Sequence, residues 1–177
     1  MPVNSHKFLD VTTQPQQQMA WCWAAVGTFC ALYFDSKSGW TQCKIVNDCL
    51  TLAETDCCGK AAASPKCDKT FYLENSKEQG SFVLTKIANG YQDSCISYSD
   101  LIKNIDADLP IAFRIELSPY FAHFIVVSGY DNTGGKEFVK INDSFFGDSE
   151  IPYSEFVSKY QHVGKVTHTF FQKTDTA

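Results

Sequence analysis

The hydrophobic rhythm of this chain changes once, at Pro110, and that change sets its fold class. Ahead of Pro110 apolar residues recur at helical spacing. Cys22, Val26, Phe29, Cys30 and Tyr33 form one stripe, and Ile45, Cys49 and Leu52 form another behind Thr41, a good N-cap. Leu101, Ile102 and Ile105 follow Ser99, taken as a cap, and Pro110 stops that helix. A further short helix is expected over Phe82–Ala88, closed by Asn89-Gly90. Beyond Pro110 the pattern is that of strands: Ile111–Leu117, His123–Tyr130, Glu137–Asn142 and Val163–Gln172, with Asp131–Gly135 as a hairpin loop. Helices first and antiparallel strands afterwards make an α+β fold. The 177 residues suit a single domain, 1–177, of two lobes: helical over about 16–108 and β over about 109–173.

The cysteine that opens the first stripe is placed for chemistry. Ala24 and Ala25 are strong helix formers, whereas a proline and three glutamines precede Cys22 without helical period. Cys22 therefore belongs in the first turn of a helix. Unpaired N–H groups and the positive dipole end there favour a thiolate, the nucleophilic form. Gln16 stands six residues earlier, and its amide can donate to an oxyanion beside the N–H of Cys22. The bland alternative is a buried structural cysteine on an amphipathic helix.

A thiol nucleophile needs a base, and the base an orienter. His6 lies in a polar arm, His162 in the polar segment Lys159–His162, and His168 alternates within the last strand. His123 opens the apolar strand that ends at Tyr130, which makes it the candidate base. In a hairpin centred on Thr133, Tyr130 faces Lys136 and His123 faces Asp143, while Asn142 points to the opposite face. One bulge would exchange the faces of Asp143 and Asn142.

Composition removes several function classes. A net charge of −5 with no basic face gives nothing to neutralise phosphates, so no nucleic-acid partner is expected. No apolar run approaches a membrane span. Five of the eight cysteines, Cys43, Cys49, Cys57, Cys58 and Cys67, crowd one short stretch. That crowding points to disulfides and an oxidising destination, with different partners for the adjacent Cys57 and Cys58. Zinc is the competing reading, but the stretch has no histidine and no C-x2-C pair. No metal and no cofactor is called for.

Gln16-x5-Cys22-Trp23-Ala24 resembles the pattern of papain-like cysteine proteases, and with Trp21 and Ala25 it is more similar to their bacterial avirulence-type, secreted-effector branch. The resemblance continues in Trp40-Thr41-Gln42-Cys43, in Asp56-Cys57-Cys58 and Cys67, in His123, Val126, Gly129, Tyr130 and Asp131, and in Val139, Asn142 and Asp143. It implies a papain-like fold, with the active site in the cleft between a helical and a β lobe. It also implies a Cys22–His123–Asp143 triad and Gln16 as oxyanion donor. Two departures stand out. Ser118-Pro119-Tyr120-Phe121-Ala122 replaces a glycine-rich run common before the histidine, and Ser144 follows Asp143 where a proline is common.

The expected function is peptide-bond hydrolysis, in an effector or toxin secreted or delivered out of the producing cell. The polar segment Met1–Gln18 carries no classical signal-peptide core. Partners would be a protein or peptide substrate and, by the same resemblance, a cognate inhibitor or immunity protein. Rival readings are an acyltransferase or deamidase using the same thiol chemistry, a non-catalytic binding module that kept the fold, and a small disulfide-rich interaction protein.

Overall fold

A computed structural model describes residues 5–52, 56–74 and 80–173. Helices come first: α1 (Cys22–Phe34), α2 (Gln42–Leu50) and the single turn α3 (Ser81–Leu84). After α4 (Tyr98–Asp106) the chain builds β3 (Ile111–Ser118), β4 (Phe121–Asp131) and β5 (Phe138–Asn142) as consecutive antiparallel strands. Then come β6 (Ser149–Pro152), α5 (Tyr153–Lys159) and β7 (Lys165–Gln172). Two early strands join the same sheet: β1 (His6–Phe8) pairs with Gly129–Asp131 of β4, and β2 (Ala88–Gln92) pairs with β7. The sheet order is β2-β7-β3-β4-β5-β6, with β1 beside β4. The α+β expectation holds.

The helix α1 is more central than an amphipathic stripe requires. Every residue from Cys22 to Ala31 is buried, because α1 packs against α2 and α3 on one side and β4 on the other. An all-round apolar helix is stable only in such a place. Gly27 allows the closest approach: a Cβ there would lie 2.6 Å from Cβ of Ser81, whose hydroxyl donates to the carbonyl of Trp23 (3.0 Å).

Three local readings change. The expected helix over Phe82–Ala88 is cut to α3, and Ala88–Gln92 is strand. Gly90, at φ +88°, serves a register shift in β2 and not a helix end. The cap of α4 is Ser97, which accepts from the N–H of Asp100 (3.1 Å). The β4–β5 register also differs. Tyr130 faces Val139 and not Lys136, a bulge falls between Val127 and Gly129, and Val126 faces Asn142. The strand β5 ends at Asn142, so Asp143 has no cross-strand partner in the ladder.

Two disulfides, Cys43–Cys58 and Cys57–Cys67, staple the cysteine-rich stretch to α2 and to itself. Cys57 and Cys58 have different partners, as expected, and Cys49 stays a free, buried thiol. No described helix is long and apolar enough to cross a membrane.

Candidate active site

Cys22 is the first residue of α1, and Trp21 at the N-cap offers no side-chain acceptor to the first-turn N–H groups. Its flanking residues are fixed from one direction. The indole of Trp21 donates to the carbonyl of Cys67 (2.9 Å), that of Trp23 to the carbonyl of Lys69 (2.9 Å), and the N–H of Ala20 to the carboxylate of Asp68 (2.8 Å). The disulfide loop thus ends on the helix turn that carries the thiol. Both indoles are fully buried, which makes them packing groups, although Trp23 also borders the cleft.

His123, on β4, is 2 % exposed and approaches Cys22. Its Nε2 lies 2.8 Å from Oδ1 of Asp143. With Nε2 engaged, Nδ1 is the nitrogen left for the Cys22 thiol. Burial works against a charged ring, but the bonds to Asp143 and Cys22 outweigh it and raise the His123 pKa to about 9. Burial disfavours the Asp143 carboxylate too, yet His123, Tyr160 and a backbone N–H hold its pKa below the usual range. Phe145 and Phe146 pack edge-on against the His123 ring, at centroid distances of 6.1 and 5.8 Å.

Asp143 reaches His123 from a turn. Oδ1 accepts from the N–H groups of Phe145 (2.7 Å) and Phe146 (2.9 Å), and the Asp143 carbonyl accepts from Gly147 (3.1 Å). This side-chain-closed turn folds the carboxylate back towards the imidazole. Asn142 faces elsewhere: its amide donates to the carbonyl of Val11 (3.2 Å), to Thr13 (2.9 Å) and to Asp148 (3.2 Å), anchoring the N-terminal arm. The other histidines stand apart from this group. His6 and His162 are exposed, and His168, on β7, sits 3.3 Å from Asp93.

Gln16 belongs to an extended segment pinned at both sides. Its N–H donates to the carbonyl of Ser144 (3.0 Å), and its Oε1 accepts from the Ser144 hydroxyl (3.1 Å). Its Nε2 lies between the carbonyls of Gln18 (3.0 Å) and Met19 (2.6 Å). Gln42, buried on α2, accepts from the N–H of Gln17 (2.9 Å) and donates to the carbonyl of Pro15 (2.9 Å).

Sequence reasoning missed Gln42, Ser144 and Tyr160. Gln42 was visible only as a member of a motif, Ser144 only as a departure from one. Tyr160 lay hidden in a segment read as polar surface, yet it is 1 % exposed and donates to Oδ2 of Asp143 (2.6 Å).

A cleft of about 710 Å³ opens beside Cys22. Phe71 and Tyr72 from the cysteine-rich side and Tyr120 and Phe121 from the β3–β4 hairpin tip line it, with Arg114 and His168 from the sheet. Among the described residues no group of three or more His, Cys, Asp or Glu side chains is placed to hold a metal ion.

Comparison with known proteins agrees with this geometry at the level of family and fold. The profile of the Peptidase_C39 like family matches residues 8–168. Among solved structures, the chain is similar to the digestive procathepsin L 3 of Tenebrio molitor larval midgut, with a TM-score of 0.53 at 13 % identity. That match covers 97 % of this chain and 70 % of the other. At that identity the likeness concerns the fold alone, which is papain-like. No curated protein sequence matches.

Proposed function

Since this chain belongs to the Peptidase_C39 like family and is a papain-like cysteine peptidase, we propose that it hydrolyses peptide bonds through Cys22, His123 and Asp143. The observation that carries this reading is the 2.8 Å bond between His123 and Asp143, with Cys22 as a second hydrogen-bond partner of the same ring. The Cys22 thiolate attacks the peptide carbonyl carbon, and the carbonyl becomes an oxyanion. The His123 imidazolium donates its proton to the leaving amine as the C–N bond breaks. Water then attacks the thioester, with the neutral His123 taking its proton, and the acid leaves with Cys22 restored. Asp143 holds the ring in the orientation that presents Nδ1 to sulfur.

The oxyanion is received by the N–H of Cys22 and by Nε2 of Gln16. Nε2 already bonds two carbonyls. Its gain in the transition state is therefore the difference between a bond to an anion and a bond to a neutral carbonyl.

We read the chain as a single papain-like catalytic domain, 1–177, with a helical lobe over about 16–108, from which β2 crosses into the sheet, and a β lobe over about 109–173. The Trp21–Ala25 string and the late His123–Asp143 motif support placement in the avirulence-type branch, as an effector or toxin delivered out of the producing cell. Two disulfides support an oxidising destination. A cognate inhibitor or immunity protein is the natural partner for such a role.

The test is a comparison of new peptide N-termini in target-cell lysate treated with the protein or with Cys22→Ala. New N-termini dependent on Cys22 are expected. Equal cleavage by Cys22→Ala would refute the reading.

A further inference from the structure

From the surroundings of Asp143 we infer that Tyr160 is a positioning residue, which acts on the Cys22–His123 pair by fixing the carboxylate of Asp143. This rests on the reading of Cys22, His123 and Asp143 as the reacting set.

The two oxygens of Asp143 are used differently. Oδ1 takes three donors: Nε2 of His123 and the N–H groups of Phe145 and Phe146. Among the described residues Oδ2 has one hydrogen-bond donor, the Tyr160 hydroxyl at 2.6 Å, in a bond that is buried. Without that hydroxyl, Oδ2 is a buried carboxylate oxygen facing a ring. The carboxylate then gains by rotating, so that both oxygens share the three donors now held by Oδ1. Rotation draws Oδ1 away from His123. The phenol therefore sets the angle of the bond that sets the angle of the imidazole.

A purely apolar role does not require a tyrosine. Phenylalanine fills the same volume and lacks only the hydroxyl, which is spent on Oδ2. The backbone gives an independent reason. Gln161 and His162, neither of them glycine, both adopt left-handed conformations (φ 51° and 70°). Tyr160 and Gly164 close that loop with bonds of 3.0 and 2.6 Å. A Cβ on Gly164 would meet the Tyr160 carbonyl oxygen at 2.7 Å. Unfavourable backbone at two successive residues persists where the surroundings require it. Here it delivers the phenol of the residue just before the loop to Asp143. Burial first, and the neighbouring Asp143 charge second, push the Tyr160 pKa far up, so the phenol stays a donor across the working range.

The experiment measures the rate of Cys22 alkylation by iodoacetate against pH, together with turnover of fluorescein-labelled casein. Iodoacetate is an anion drawn to the imidazolium, so its rate falls as His123 loses its proton, near pH 9 in the wild type. Tyr160→Phe should lower casein turnover about tenfold. It should also move the alkaline limb down by roughly half a pH unit as the Asp143–His123 bond loosens. Phe156→Leu, which disturbs the neighbouring core without touching Asp143, should lower Tm and leave the limb in place. A Tyr160→Phe variant with wild-type turnover and limb, measured while Cys22→Ala is inactive, overturns the role of Tyr160 alone. Casein turnover that survives in Cys22→Ala overturns the underlying triad and this inference with it. Should Tyr160→Phe not fold, 4-aminophenylalanine at 160 keeps the ring and a donor but makes that donor weaker, so Oδ2 is held less firmly. The limb then moves down in the same direction, and an unmoved limb overturns the proposal.

Discussion

Asp143→Ala removes one acceptor from four donors at once: His123, Phe145, Phe146 and Tyr160. Its first effect is on charge. The His123 pKa is raised to about 9 from an ordinary 6.5, chiefly by Asp143 acting against burial. At pH 8 a ring of pKa 9 is roughly nine-tenths imidazolium, and a ring returned to 6.5 is about 3 % imidazolium. That change alone lowers the reactive pair about thirtyfold. Loss of orientation removes about another tenfold, giving a deficit of roughly three hundredfold at pH 8. At pH 6 both forms are mostly protonated, and only the orientational deficit remains. The defect should therefore shrink as pH falls. Iodoacetate alkylation of Cys22 between pH 5 and 10 measures this without knowledge of the substrate. Asn142→Ala is the control, since Asn142 bonds the N-terminal arm and not His123. An alkaline limb that stays near 9 in Asp143→Ala would falsify the assignment, as would an equal displacement in Asn142→Ala.

The same shift predicts a pH dependence of stability. The folded-state pKa of His123 lies above its unfolded value, so its contribution is complete below 6.5 and disappears as pH rises through about 9. Chemical denaturation should show roughly 3 kcal/mol lost across that window, and little of that loss in His123→Gln. Iodoacetamide at mildly acidic pH should label Cys22 first: burial pushes the thiols of Cys30 and Cys95 up and that of Cys49 up to about 12. Equal labelling of Cys30 or Cys95 would remove Cys22 from its role. Gln16→Ala should lower kcat about tenfold with KM little changed, less than the loss at an unengaged oxyanion donor, because Nε2 exchanges one bond for another. A larger loss from Gln17→Ala or Gln18→Ala would mean that the register is misread. Cys67→Ser opens the ten-residue loop to Cys57 and should cost about 3 kcal/mol in denaturant melts. No change in stability would show that the Trp21 and Trp23 anchors hold the loop unaided.

What was legible in the sequence was legible for local reasons. The start of α1 follows from the end of a polar segment and two alanines, and the strands β3, β4, β5 and β7 follow from apolar runs bounded by turn residues. The disulfide stretch follows from cysteine density. The illegible parts depend on contacts distant in sequence. Ala88–Gln92 carries a helix-stop signal, yet it becomes strand because β7 leaves an edge free to pair with it. β6 and α5, which meet at Pro152, have no period long enough to read. Tyr160 and Gln42 reveal themselves only through their hydrogen-bond partners, more than ten residues away.

The pairing of His123 with Asp143 is the instructive case, because the expected contact exists and the expected cause does not. The hairpin argument required Tyr130 opposite Lys136, and the strands align Tyr130 with Val139. The loop therefore takes up more residues than a turn centred on Thr133 allows, and the bulge after Val127 recovers only part of the difference. In that register Asp143 lies past the end of β5, out of reach as a ladder partner. It is carried to His123 by a turn in which its own carboxylate binds the N–H groups two and three residues ahead. Those bonds depend on the local chain Asp143–Gly147 and not on strand register. A register slip in β4–β5 would ruin a ladder contact, but the turn travels with the end of the strand and keeps its internal geometry. Tyr160, bonded to the other carboxylate oxygen from a different part of the chain, then fixes where that turn docks. The orientation of His123 is thus set by side-chain-to-backbone closure and a buried phenol, and alternation along the strands accounts only for the side of the sheet on which His123 lies.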